Sequence, residues 1–209
     1  MNQASQVPSE ERIMKNLLPS IFPQMRSKFR LCIFLCLLFS CVSCNDEMVS
    51  NKYCSLPARF TFTPVNSISQ LYTSCESMGE WCTIHATGNK FLFTKANGSQ
   101  GEANRTAVDG YTGFYMGLAG FIVGLPNIPE LGETRSVVTC YDLACRNCYD
   151  EAYVARSLTL QEGGLAYCSR CHRTYDLNNT GQVSQGDAGK ALYRYRVYYG
   201  NNTLAINNR

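Results

Sequence analysis

The sequence predicts an all-β domain, and three observations carry that prediction. Short runs of β-branched and aromatic residues alternate with period two. Gly, Asn and Pro punctuate those runs at short intervals. The most apolar stretch of the exported part, residues 111–125 (YTGFYMGLAGFIVGL), carries Gly113, Gly117, Gly120 and Gly124, which suits strands with a turn or bulge better than a helix.

Taken in order, Arg59-Phe60-Thr61-Phe62-Thr63 reads as a strand with both Phe on one face. Residues 81–84 (WCTI) and 91–93 (FLF) are strand-like, and the polar, Gly- and Asn-bearing residues 95–109 read as a long surface loop. Residues 111–125 are too short for a membrane-spanning helix, which needs about 20 apolar residues. After a loop over 126–132, residues 136–140 form a strand. Residues 149–160 are expected to make a short helical or irregular turn, broken by Gly163-Gly164, and 165–167 a brief strand. Residues 173–177 then lead to a turn at Asn178-Asn179-Thr180-Gly181. The last clear strand is expected over 191–199, with Tyr193, Tyr195, Val197 and Tyr199 as a packed face and Leu192, Arg194 and Arg196 opposite.

One constellation carries chemistry. Cys145 and Cys148, and Cys168 and Cys171, form two Cys-x-x-Cys pairs separated by 19 residues. Each pair can put two sulfurs on one side of a tight turn, and two such turns facing each other make a tetrahedral pocket of four thiolates. His172 beside Cys171 reads as an ordinary partly exposed histidine, and Asp142, Asp150 and Glu151 as residues of solvated turns. Paired catalytic carboxylates, a nucleophile–base pair and a phosphate loop do not stand out, so no catalytic residues are assigned.

The N-terminal quarter reads as targeting rather than fold. Arg26, Lys28 and Arg30 precede an apolar run over 31–42 (LCIFLCLLFSCV), the pattern of a secretory signal. Val42-Ser43-Cys44 resembles a bacterial lipobox, and Asn45-Asp46-Glu47 resembles the acidic tag of surface-exposed lipoproteins. That resemblance makes Cys44 the lipidated residue, 25–43 the signal and 44–53 a tether, with an outer-membrane or cell-surface location in a Gram-negative bacterium. Residues 1–24 read as a mis-called upstream extension. Five of the 19 basic residues and two of the 16 acidic ones precede Cys44, leaving 14 of each in the mature part. That balance offers no electrostatic footprint for nucleic acid. Of the 12 cysteines, Cys32, Cys36 and Cys41 lie in the signal; Cys54, Cys75, Cys82 and Cys140 are left as disulfide candidates, with the pairing open.

From Cys168 onward the chain resembles the second cluster box of Rieske iron–sulfur proteins and the strands after it. Cys168-Ser169-Arg170-Cys171 is followed by Tyr175-Asp176-Leu177, Thr180-Gly181, Gly186-Asp187-Ala188 and Leu192-Tyr193-Arg194-Tyr195. Residues 137–148 look like the strand and first box. The resemblance implies a Rieske-like antiparallel β-sandwich over 54–209, with a rubredoxin- or zinc-ribbon-like metal subdomain at about 137–180. The family uses two Cys and two His. Here Cys171 stands where the family has histidine, Asn147 stands at the other histidine position beside Cys148, and His85 and His172 are off the boxes.

The four cysteines could hold zinc, a single iron or a [2Fe–2S] cluster. Export without a twin-arginine signal favours zinc, which loads spontaneously outside the cell; the resemblance favours [2Fe–2S]. Three functional readings remain: a lipid-anchored protein with a structural metal, an electron-transfer protein with an unidentified redox partner, and a disulfide-stabilised lipoprotein without metal. A thiol–disulfide oxidoreductase would want a βαβ context, and an oxygenase a two-His-one-carboxylate set; neither is present.

Overall fold

In the computed structural model, which describes residues 52–106 and 113–208, antiparallel sheets make up most of the domain. The chain begins with β1 (Ala58–Phe62), a 3-10 turn (Val65–Ser67), α1 (Ser69–Glu76), β2 (Trp81–Thr87), β3 (Lys90–Lys95) and β4 (Gln100–Asn104). It continues through β5 (Tyr115–Met116), β6 (Phe121–Gly124), β7 (Thr139–Asp142), α2 (Arg146–Ala152), β8 (Thr159–Gln161), β9 (Leu165–Tyr167) and β10 (Thr174–Asp176). It closes with β11 (Gln182–Gln185), β12 (Arg194–Tyr195), β13 (Val197–Gly200) and β14 (Thr203–Asn207). Cys44, the signal and all of the tether but Lys52 and Tyr53 lie outside the described residues. No described helix is long and apolar enough to cross a membrane.

A six-stranded sheet, in the order β12-β7-β6-β2-β3-β4, is the centre of the architecture because its strands β7, β6 and β2 are buried on both faces. Side-chain alternation explains how one sheet serves two cores. Phe121 and Val123 of β6, Cys140 of β7 and Cys82 and Ile84 of β2 enter one core, while Ile122, Tyr141 and Trp81 enter the other. A strand with both faces covered reads as a continuous apolar run, which is the character of Phe121-Ile122-Val123.

The first core lies against the sheet β13-β14-β1-β5. Phe60 meets Phe91 edge-on with ring centroids 5.1 Å apart, and Phe62 meets Phe93 at 5.0 Å. Helix α1 closes this core with Leu71 and Cys75. Cys75, Cys82 and Cys140 are free thiols within the core, and Cys54 is a free thiol packed against it. Burial pushes Cys75 and Cys82 up to about 12, so they pack as small protonated hydrophobes. The second core joins the six-stranded sheet to the small sheet β11-β10-β9-β8 and contains Cys145, Cys148 and Cys168.

Several expectations are corrected. Residues 95–109 are not simply a loop: Gln100–Asn104 form β4, an edge strand whose Gln100, Glu102 and Asn104 face outward while Ala103 packs against the first core. Helix α1 and strand β14 were not read from the sequence. The single strand expected over 191–199 is two strands in two sheets. Tyr195 pairs with Cys140 in the central sheet, whereas Val197 pairs with Ile206 in the outer one. Arg196 is the crossover, and the expected face persists across it: Tyr195, Val197 and Tyr199 join the first core, whereas Tyr193, which precedes β12, does not.

Candidate metal centre

The first cysteine pair hangs from the end of β7. Asp142 anchors that end: its carboxylate accepts the amide of Ala144 (2.7 Å), the amide of Leu118 (2.8 Å) and the Tyr195 hydroxyl (2.5 Å). Asp142 is fully buried, not in a solvated turn, and desolvation by burial raises its pKa against the pull of these donors. Gly117 makes the arrangement possible. Its φ is +63°, and a Cβ there would lie 2.3 Å from both Asp142 Oδ2 and the Tyr195 hydroxyl oxygen.

Cys145 is the residue that caps α2, in extended conformation, and its carbonyl accepts the amide of Tyr149 at 3.1 Å. The helix therefore starts earlier than 149. The pattern Cys-x-x-Cys becomes a cap and the third residue of the first turn, so Cys145 and Cys148 share one side. Asp150 and Glu151 ride on this helix. Asp150 is held by the Tyr193 hydroxyl (2.5 Å), Lys190 (2.9 Å) and Arg146 (3.5 Å).

The second pair sits on the hairpin between β9 and β10. The amide of Cys168 donates to Arg173 O (3.0 Å) and the amide of His172 to Cys168 O (2.9 Å). His172 takes φ +57°, which reverses the chain and delivers Cys168 and Cys171 to the same side. His172 itself is exposed and hydrogen-bonded through Nδ1 to the Tyr167 hydroxyl at 2.7 Å. His85 lies on β2 outside the cluster.

The four sulfurs, Cys145, Cys148, Cys168 and Cys171, all lie within 4.8 Å of one another. The closest contacts run between the loops: Cys145 to Cys171 is 3.6 Å and Cys148 to Cys168 is 3.7 Å. Both are far beyond a disulfide bond of about 2.05 Å. Three of the cysteines are at most 2% exposed, and only Cys171 reaches solvent. A tetrahedron of sulfurs about 2.3 Å from a central ion has edges of about 3.8 Å, so these distances fit a bound metal.

Two further residues, which the sequence reading did not assign to the site, complete it. Tyr175 on β10 is fully buried and its hydroxyl lies 3.1 Å from Cys145 Sγ. Asn147, between the two cysteines of the first pair, donates through Nδ2 to that hydroxyl (2.9 Å) and to Lys190 O (3.0 Å), and accepts the Lys190 amide through Oδ1 (3.0 Å). The Tyr175 hydroxyl accepts from Asn147 and donates to the Cys145 sulfur when that sulfur is a thiolate, which has no proton of its own to give. A Cβ on Gly189 would lie 2.7 Å from Asn147 Oδ1, so the segment before β12 can lie flat over the site. Arg173 pins the same segment by donating from Nε to Asp187 O at 3.0 Å.

The thiols are not equivalent. Burial pushes Cys145 and Cys148 up, with proximity to the other thiols adding to the rise at Cys148. Burial also acts to raise Cys171, but hydrogen bonds from the backbone and side chain of Arg173, with those of Cys168 and Cys145, outweigh it and bring this thiol down to about 7. A buried thiol cluster of this kind gives up its protons on metal binding, so binding and pH are linked.

A comparison with known protein families finds no match, and no curated protein matches the chain. The centre is therefore defined by its own geometry: four thiols, two at the N-terminus of α2 and two on the β9–β10 hairpin, close enough to hold one metal ion.

Proposed function

We propose that the chain is an exported, lipid-anchored protein of the cell envelope whose Rieske-like domain carries a closed mononuclear zinc centre. Cys145, Cys148, Cys168 and Cys171 hold the ion, and its role is structural. One observation carries the reading: the four sulfurs span no more than 4.8 Å. In a [2Fe–2S] cluster two sulfides separate the irons, and thiolates on opposite irons lie more than about 5 Å apart. A single tetrahedral ion asks for about 3.8 Å on every edge. The cross-loop contacts of 3.6 and 3.7 Å match the second figure.

Four protein ligands leave no open coordination position, which is the arrangement of structural rather than catalytic zinc. Bound there, the ion supplies a cross-link between α2 and the β9–β10 hairpin. The antiparallel sheets and the cysteine-bearing loops support the Rieske-like part of the proposal. The lipobox-like Val42-Ser43-Cys44 supports the anchor.

Metal analysis together with a visible spectrum of the purified protein tests the reading. One zinc per chain and no visible absorption is the expected result. Two irons with acid-labile sulfide would replace it with the electron-transfer reading, and absence of metal with two cross-loop disulfides would leave a disulfide-stabilised lipoprotein.

A further inference from the structure

A groove of about 560 Å³ opens where the chain enters the described domain, between residues 52–56 and the crossover at Leu192–Arg196. Four cations line it: Lys52, Arg146, Arg194 and Arg196. No carboxylate is among its lining residues. Two carboxylates outside the lining pair with these cations. Glu130 pairs with Lys52 and Arg194, and Asp150 with Arg146. Four positive charges against two negative ones leave two uncompensated, and Asp150 is shared with Lys190 besides.

The guanidinium groups are held in place before any ligand arrives. Arg196 lies 4.9 Å and Arg194 5.7 Å from the centroid of the Tyr53 ring, and Arg146 lies 4.6 Å from that of Tyr193. Stacking on a ring fixes the plane of a guanidinium, so little side-chain entropy remains to be lost on binding. Arg146 Nη1 also donates to Ala191 O at 3.2 Å and Arg194 Nη2 to Thr139 Oγ1 at 3.4 Å, which hold these two groups further. Donors are also left over. The Nε atoms of Arg146 and Arg194 are buried without a hydrogen-bond acceptor among the described residues, although Arg146 Nε lies 3.5 Å from Asp150 in ion-pair contact. Arg194 is itself only 9% exposed, an expensive place for an unsatisfied charged donor. Arg196 is exposed and makes no ion pair with any described residue.

We infer that this groove is a binding site for a phosphomonoester dianion. Two surplus positive charges and guanidinium groups held along one groove match a tetrahedral group carrying nearly two negative charges near neutral pH, better than a carboxylate carrying one. The volume exceeds that of one phosphate, so the group belongs to a larger molecule. A soluble phosphate ester and a lipid with a terminal phosphate share this chemistry. The inference stands apart from the metal reading, because none of the four thiols lines the groove.

Calorimetric titration of the full-length chain in mild detergent with inorganic phosphate tests it, with zinc and melting temperature measured on the same samples. Saturable binding is expected, at least about tenfold tighter than acetate, and weakened about tenfold in Arg196→Gln with metal content and melting temperature unchanged. Arg196→Lys, which keeps the charge and loses the fork, falls between the two. Glycerol 3-phosphate and vesicles of phosphatidylcholine with or without phosphatidic acid distinguish the sources. Competition by the soluble ester without vesicle binding identifies a soluble ligand, and phosphatidic-acid-dependent vesicle binding lost in Arg196→Gln identifies a lipid. Absence of saturable phosphate binding, equal binding by acetate, or equal binding by Arg196→Gln overturns the site.

Discussion

Replacing Tyr175 by Phe isolates one contact to the metal centre. The hydroxyl is buried, 3.1 Å from Cys145 Sγ, and receives its own hydrogen bond from Asn147 at 2.9 Å. Phe keeps the ring and its packing, so the substitution removes the donor and little else. Asn147 Nδ2 retains its bond to Lys190 O at 3.0 Å, so no buried amide is orphaned. A hydrogen bond to a charged acceptor contributes about 1.5–3 kcal/mol, and losing a supporting contact of this kind weakens metal affinity by roughly 10–100-fold. Competition of the full-length protein against a chromophoric zinc chelator reads that loss directly. The metal-free protein should lose less than about 1 kcal/mol in urea unfolding, because a neutral thiol is a weak acceptor. Zinc affinity unchanged within threefold would refute the claim that Tyr175 supports the Cys145 thiolate. A loss of stability equal in the metal-bound and metal-free proteins would assign Tyr175 to packing alone.

Other perturbations have equally definite outcomes. Cys168→Ser removes a fully buried ligand, and metal content per chain should fall to near zero with a drop in melting temperature; a full complement of zinc would exclude Cys168 from the centre. In the metal-free protein Cys171 should be alkylated first, because it alone of the four reaches solvent and its thiol is lowered to about 7 from an ordinary 9.0. Its labelling rate should rise with pH around a midpoint near 7, and mass mapping that finds Cys145 or Cys148 modified first contradicts the ordering. Because that folded-state value is depressed, the thiolate's contribution to stability is complete above pH 9 and fades as pH falls through 7, which urea titration across this window measures. Gly117→Ala forces a Cβ to 2.3 Å from Asp142 and Tyr195 at a φ of +63°, and a loss of about 3 kcal/mol or more in urea unfolding is expected; a change under about 0.5 kcal/mol would show that the turn moves freely.

The centre was legible because its signal is local: two Cys-x-x-Cys pairs announce a shared pocket whatever the rest of the chain does. The strands at Trp81, Phe91 and Phe121 were legible for a similar reason, since apolar and aromatic runs report burial directly. Asp142 and Asn147 were not, because a buried polar residue looks like a surface one until its partners are known, and those partners lie far along the chain: Tyr195 for Asp142, Lys190 for Asn147. Strand β4 was missed because an edge strand whose inward positions are only Gly101 and Ala103 has the composition of a loop. Helix α1 was the avoidable case. Ile68, Leu71 and Cys75 recur at helical spacing and are all buried. The split of residues 191–199 at Arg196 is a tertiary event, a change of sheet in mid-run, and alternation alone runs straight through it.

X-ray absorption at the metal edge tests the central claim most directly. The account predicts a single zinc with four sulfur neighbours at about 2.3 Å and no metal–metal scattering. Scattering from a second metal close to the first, or a zinc-free protein whose sulfurs are paired at about 2.05 Å, would contradict it.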